Sequence, residues 1–198
     1  MNGNNMKRIY LVFIIGFCAS SSFAQENWTE FYYDADWNKI STINNAVYSR
    51  IIAFNEGDLH HPVGLVKDYY LESGSLQWEG KFSYYDIENE KNNREQGRVK
   101  WYHENGEKSR ESFFDNGELY GVTKYWHENG ELESSYEYDN GKLDGEISHY
   151  NNKGVLSKIV DYNSGKVHGF ITYYYTRGLN KGNPKWTKEY INGEQTSK

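Results

Sequence analysis

The sequence predicts an all-β fold in which tandem β-hairpins stack into an elongated, twisted antiparallel sheet or an open solenoid. Three observations predict it. Glycines recur at a fixed step of 24 residues, at Gly97, Gly121, Gly145 and Gly169 and again at Gly106, Gly130, Gly154 and Gly178. Between them, side-chain character alternates with a period of two, the period of a pleated strand. Asn-Gly pairs, a strong short-range hairpin signal, punctuate the segments. Composition agrees, because 17% aromatic residues with 19 Gly and only 2 Pro suit short strands and tight turns rather than disorder.

Residues 1–24 stand apart. Lys7 and Arg8 precede the apolar run "IYLVFIIGFCAS", and small residues follow in "SSFA". This is the layout of a secretory signal peptide, with an apolar run too short to span a membrane. Cleavage is expected after Ala24. Cys18, the only cysteine, would leave with the leader, so the exported chain would carry no disulfide. Bulky Phe17 before Cys18 argues against a lipid-modified form. Losing Lys7 and Arg8 leaves 20 basic against 28 acidic side chains, a charge of −8. Such a chain lacks the basic stripe that nucleic acid requires, and anionic headgroups would repel it.

Residues 25–47 form a lead-in segment, residues 48–194 the repeat array, and residues 195–198 a short tail. In the unit that begins at Gly121, "GVTKYW" is expected as a strand with Val122, Lys124 and Trp126 on one face and Thr123 and Tyr125 on the other. "HENG" then reads as a primed hairpin turn. "ELESSYEYD" follows as the return strand, with Leu132, Ser134, Tyr136 and Tyr138 pointing one way and the acidic residues towards water. "NGKLDG" makes the next turn. The polar run "IENEKNNREQ" before Gly97 and the segment "LNKGNPKW" are in excess of the period and are expected as inserted loops. Pro62 and Pro184 both fall in such insertions, as strand interiors demand.

A lone hairpin is marginal in water, so the units must stack. Stacking aligns Tyr70, Tyr102, Trp126, Tyr150 and Tyr174 in an unbroken aromatic column, expected in the core. On the opposite face runs a second column, Tyr69, Trp101, Tyr125, His149 and Tyr173, alternating with Val99, Thr123, Ile147 and Ile171. It is either a second packed face or a ridge that docks a protein or stacks on sugar rings.

The units "KWYHENGE", "KYWHENGE", "SHYNNKGV" and "TYYYTRGL", with their partners "FDNGELYG", "YDNGKLDG" and "YNSGKVHG", resemble the variant MORN repeat. Over roughly residues 48–194 the chain resembles bacterial YwqK-type antitoxin repeat proteins, as an exported member. The lead-in "FYYDADWNKISTINNAVYSR" also resembles segments that precede such repeats. The resemblance implies a hairpin array that works by contact and not by catalysis.

The residues themselves agree with that implication. There is no G-x-S-x-G elbow, no phosphate-cradling loop and no cofactor motif, and the carboxylates alternate along strand faces. His103 and His127 occupy equivalent places beside Glu104 and Glu128, but the next unit offers Asn151, too few ligands for zinc. His60 and His61 sit in a loop beside Pro62. No catalytic, cofactor or metal site is therefore assigned. The expected function is an exported protein–protein interaction module, periplasmic, outer-surface or extracellular. Glycan or cell-wall binding is the alternative, and antitoxin-like inhibition of a partner protein a third.

Overall fold

The computed structural model describes residues 27–196, so the leader with Cys18 and Ala24, and Ser197 and Lys198 of the tail, lie outside it. Apart from two short 3-10 turns, Ile43–Asn45 and Glu90–Asn92, the regular structure described is all strand. The N-terminal part supplies β1 (Asn27–Tyr33), β2 (Lys39–Ile40), β3 (Tyr48–Phe54), β4 (Val66–Tyr70), β5 (Leu76–Gly80), β6 (Phe82–Tyr84) and β7 (Arg94–Glu95). The middle supplies β8 (Gly97–Tyr102), β9 (Lys108–Asp115), β10 (Glu118–Leu119), β11 (Gly121–Trp126), β12 (Leu132–Asp139) and β13 (Lys142–Leu143). The chain ends with β14 (Gly145–Tyr150), β15 (Leu156–Asn163), β16 (Lys166–Tyr174), β17 (Pro184–Ile191) and β18 (Glu194–Gln195).

Sixteen of these strands form one antiparallel sheet, an open meander with β2 at one edge and β18 at the other. Sequence neighbours lie side by side throughout, except that β1 sits between β3 and β2. β10 and β13 are stubs on β9 and β12, and β6 pairs with β7 in a small sheet of its own. Residues of the lead-in thus belong to the main sheet, with β1 paired along its whole length to β3.

Two kinds of turn join the strands. At Asn116-Gly117 and Asn140-Gly141 both residues have positive φ, 50° and 87° in the first and 47° and 74° in the second, the signature of a primed turn. "HENG" is different. Only Gly106 is left-handed, the Gly106 amide donates to the His103 carbonyl at 2.9 Å, and the His103 amide donates to the Glu107 carbonyl at 2.8 Å. This is a type I turn followed by a left-handed glycine, not the expected primed turn. The Asn105 side chain holds that form, accepting from the Glu107 amide and donating to the Glu128 carbonyl of the neighbouring turn. Asn129 does the same with the Glu131 amide and the Asn152 carbonyl.

Each such turn is followed by a bulge. Pairing shifts between Trp101 and Tyr102, between Tyr125 and Trp126, and between His149 and Tyr150, leaving Ser109, Glu133 and Ser157 as the extra residues. Strict alternation along "ELESSYEYD" therefore fails at Glu133. Leu132 opposes Trp126, while Ser134 and Tyr136 oppose Tyr125 and Thr123 on the other face. Pro184 is likewise not in a loop: it heads β17 opposite Tyr174, a first-strand position where proline is tolerated.

The core lies at the N-terminal end. Ile52, Phe54, Val66, Trp78, Phe82, Tyr85 and Val99 form one buried cluster, with Phe31, Ile87, Trp101 and Phe114 against it. The segment from Phe82 to Glu95, which includes most of the polar run expected as a loop, folds back over this face as β6, the Glu90–Asn92 turn and β7. Beneath it Gly80 leaves no room for a side chain: a Cβ there would lie 2.8 Å from the Trp78 ring and 3.0 Å from Val99. Farther along the same face smaller residues are buried, among them Ser112, Thr123, Ser134, Ile147 and Val160. The column from Tyr70 to Tyr174, expected as core, is only half-buried and takes no part in the cluster. The covering segment packs on the Trp78 face, so long rings turned the other way keep one side in water.

Candidate functional site

The ladder register assembles a single row of side chains across the sheet. Trp78 opposes Trp101, Trp101 opposes Arg110, and Arg110 opposes Tyr125. Tyr125 opposes Ser134, Ser134 opposes His149, and His149 opposes Lys158. Lys158 opposes Tyr173, which opposes Trp186. Directly opposed residues share a face, so the row runs from Trp78 to Trp186 over roughly 40 Å at ~4.8 Å per strand.

Two cations, Arg110 and Lys158, are set among the rings of this row. The Arg110 guanidinium lies 4.2 Å from the Trp101 ring centroid and 5.4 Å from that of Tyr125. Lys158 stands 5.5 Å from the Tyr173 ring, Lys188 stands 5.6 Å from Trp186, and Tyr173 and Trp186 stack at 4.3 Å. Tyr136 bridges Tyr125 and His149 edge-on, at 5.5 and 5.7 Å. Burial, with Lys158 close by, pushes the His149 imidazole below its ordinary value, which favours the neutral ring. On the reverse face the matching row of Lys67, Glu79, Lys100, Glu111 and Lys124 alternates in sign and compensates itself.

Of the sequence-derived ridge, Trp101, Tyr125, His149 and Tyr173 come together in this row, each partly exposed. Tyr69 does not. Asp68 opposes Trp78, and after a bulge Tyr69 opposes Leu76 on the other face. The cause is the turn that follows Tyr69, which closes from the Tyr70 amide to the Ser75 carbonyl, whereas the equivalent turn of the next hairpin closes from His103 to Glu107. Alignment on the glycines therefore sets Tyr69 one residue out of step with Trp101.

Continuing the row past Trp78 leads to Asp68 and Arg50. Arg50 is 8% exposed, and its Nε and Nη2 donate to the two Asp68 oxygens, both at 2.8 Å. Its Nη1 donates to Glu90 at 3.3 Å, and Glu90 also accepts from the Tyr33 and Tyr85 hydroxyls. Rings of Tyr33, Trp78, Phe82 and Tyr85 surround the guanidinium at 5.3 to 5.9 Å. Burial works against the Arg50 charge, but the Asp68 hydrogen bonds and charge outweigh it and hold the guanidinium protonated. Burial drives the Tyr33 hydroxyl well above the usual tyrosine range and raises that of Tyr85, keeping both as donors to Glu90. Periodicity conceals this network. The readable hint is Arg50 directly before the apolar run "IIAF" of the same strand, since a charge in a covered strand must be paired.

Where the row meets the network a cavity of about 320 Å³ opens, with Trp37, Gln77, Trp78, Asn93, Glu95 and Trp101 in its lining. The histidines lie elsewhere. His103 donates from Nε2 to the Trp126 carbonyl at 2.8 Å, and His60 donates from Nδ1 to the Tyr85 carbonyl at 3.0 Å. Among the described residues no group of three or more His, Cys, Asp or Glu is placed to hold a metal ion. No helix among them is long and apolar enough to cross a membrane, which says nothing of strands.

A scan against models of known protein families matches none of them, and a search of curated proteins finds no match. The geometry alone thus describes the site: flat π faces and fixed cations, suited to recognition by contact.

Proposed function

We propose that the chain is a non-catalytic binding protein whose aromatic–cation row docks an extended, acidic segment of a partner protein. The row from Trp101 to Trp186 carries this reading. Its rings are at least partly exposed, it is rich in the residue types that dominate interfaces, and its cations Arg110 and Lys158 oppose no acid on either neighbouring strand. The same proposal takes residues 1–24 as an export signal, places the protein in the periplasm, on the outer surface or outside the cell, and retains the variant MORN-repeat kinship. Antitoxin-like inhibition would be one use of such docking.

The test is affinity capture from envelope extract with residues 25–198 as bait. A partner recovered by the wild-type chain and lost with the combined Arg110→Ala, Tyr125→Ala and Tyr173→Ala variant supports the reading. Equal recovery by that variant, with its fold intact by circular dichroism, refutes it.

A further inference from the structure

We propose that the cavity at the covered end of the sheet binds one ring of an uncharged saccharide. This site does not depend on the docking of a protein partner, although Trp101 belongs to both surfaces. Three indoles, Trp37, Trp78 and Trp101, line the cavity; Trp78 is buried, and the more open Trp37 and Trp101 provide flat apolar faces of the kind on which the C–H face of a sugar ring stacks. The polar groups around them are incomplete in a particular way. Gln77 Oε1 is buried and has no donor. The Asn93 Oδ1 accepts from the Asp86 amide at 2.7 Å, which leaves its Nδ2 to donate. The Glu95 carboxylate is a second acceptor on the lining. Free acceptors and a free donor on one lining fit hydroxyl groups, which both give and take hydrogen bonds. A cation brings only donors and an anion only acceptors. The one buried cation of the lining, Arg50, is already held by Asp68 and Glu90.

Two backbone irregularities converge on the same place. Asp68 opposes Trp78 while Tyr69 opposes Leu76, so Gln77 is the extra residue of a bulge, and the bulge turns its side chain onto the lining beside Trp78. Trp37 has φ 62°, a left-handed conformation that a bulky residue adopts only when its surroundings impose it. Asp34 imposes it here: one carboxylate oxygen accepts from the Asp36 and Asn38 amides, both at 2.9 Å. The indole is thereby laid against Tyr48, stacked at 4.3 Å and 12°. A buried acceptor without a donor and a strained aromatic rim are features that a hydroxyl-bearing ring would use together.

The test is a printed array of neutral and N-acetylated oligosaccharides, followed by titration of the best binder against tryptophan fluorescence. Gln77→Leu removes an unpaired polar atom, so the variant should fold at least as well as the wild type. The expected result is retention of a neutral oligosaccharide, weakened at least about tenfold by Gln77→Leu and by Trp37→Ala, and changed less than about twofold by Tyr173→Ala far along the row. Binding of no neutral oligosaccharide overturns the proposal. So does preference for an oligolysine peptide, or binding indifferent to Gln77→Leu. Because Tyr173→Ala should abolish protein capture without touching the sugar, failure of one reading leaves the other measurable.

Discussion

Replacing Asp68 by alanine should be among the most damaging single changes in the described chain. The Asp68 side chain is 2% exposed and that of Arg50 is 10% exposed. Losing the carboxylate removes both short hydrogen bonds and leaves a guanidinium buried among four rings. Breaking a buried pair from one side costs about 3–5 kcal/mol, because the remaining charge has lost its compensation. Glu90 keeps one contact with Arg50 at 3.3 Å, and its side chain is 30% exposed, so the lower end, about 3 kcal/mol, is expected. Against a typical stability of about 5–15 kcal/mol this is a large fraction. With a urea slope near 2 kcal/mol/M the unfolding midpoint should fall by roughly 1.5 M. Tryptophan fluorescence is the natural assay, since Trp78 lies 5.7 Å from the guanidinium. Removing both charges together, as Arg50→Met with Asp68→Leu, should restore most of the loss, because the buried pair goes as a unit and Glu90, which also loses Arg50, keeps the Tyr33 and Tyr85 hydroxyls and is 30% exposed. A midpoint shift below about 0.5 M for Asp68→Ala, or a double variant as unstable as the sum of its parts, would show that the pair is not what holds the covered end.

Gly80→Ala should cost about 1–3 kcal/mol in the same titration, because the new methyl meets the Trp78 ring. Gly141→Ala meets nothing within 4 Å, so its cost should come from the left-handed backbone alone, about 1–2 kcal/mol. Arg110→Ala should lower stability by only about 0.5–1 kcal/mol while abolishing partner capture, and a larger stability loss would mark Arg110 as structural. The fold favours neutral His149, so its contribution is present above the unfolded value of 6.5 and is lost as pH falls through the lower folded value. Titration of the His149 ring by NMR should give a midpoint below 6.5, and a midpoint at or above it would contradict the burial argument.

The sheet was legible because its determinants are local. Alternating strands and the Asn-Gly pairs at 116–117 and 140–141 dictate strand and turn with no help from distant residues. The turns at Gly106 and Gly130 misled because the same Asn-Gly pair is overruled by an Asn side chain that bonds across to the neighbouring turn. Which face is buried could not be read from alternation either. Both faces carry aromatic columns, and the decision rests with Tyr85 and Glu90, which reach back to strands far away in sequence. The Arg50–Asp68 pair, 18 residues apart and outside any period, was hidden for the same reason. Four members of the aromatic row were readable because they repeat, whereas Tyr69 was displaced by a change in turn closure that leaves no mark on the glycine spacing.

The sequential order of the meander beyond β3 has a consequence for how the molecule comes apart. Beyond β8 each strand is held almost wholly by its two chain neighbours, so opening should travel as a front and not strike the sheet as a whole. β17, exposed along nearly its whole length, is the place for that front to start, and the seven-residue cluster that the covering segment completes is where it should stall. Amide exchange should therefore slow steadily from β17 back towards β5. Synthesis runs in the opposite sense, so the most stable end is made first and waits as a ready template on which each later hairpin can zip.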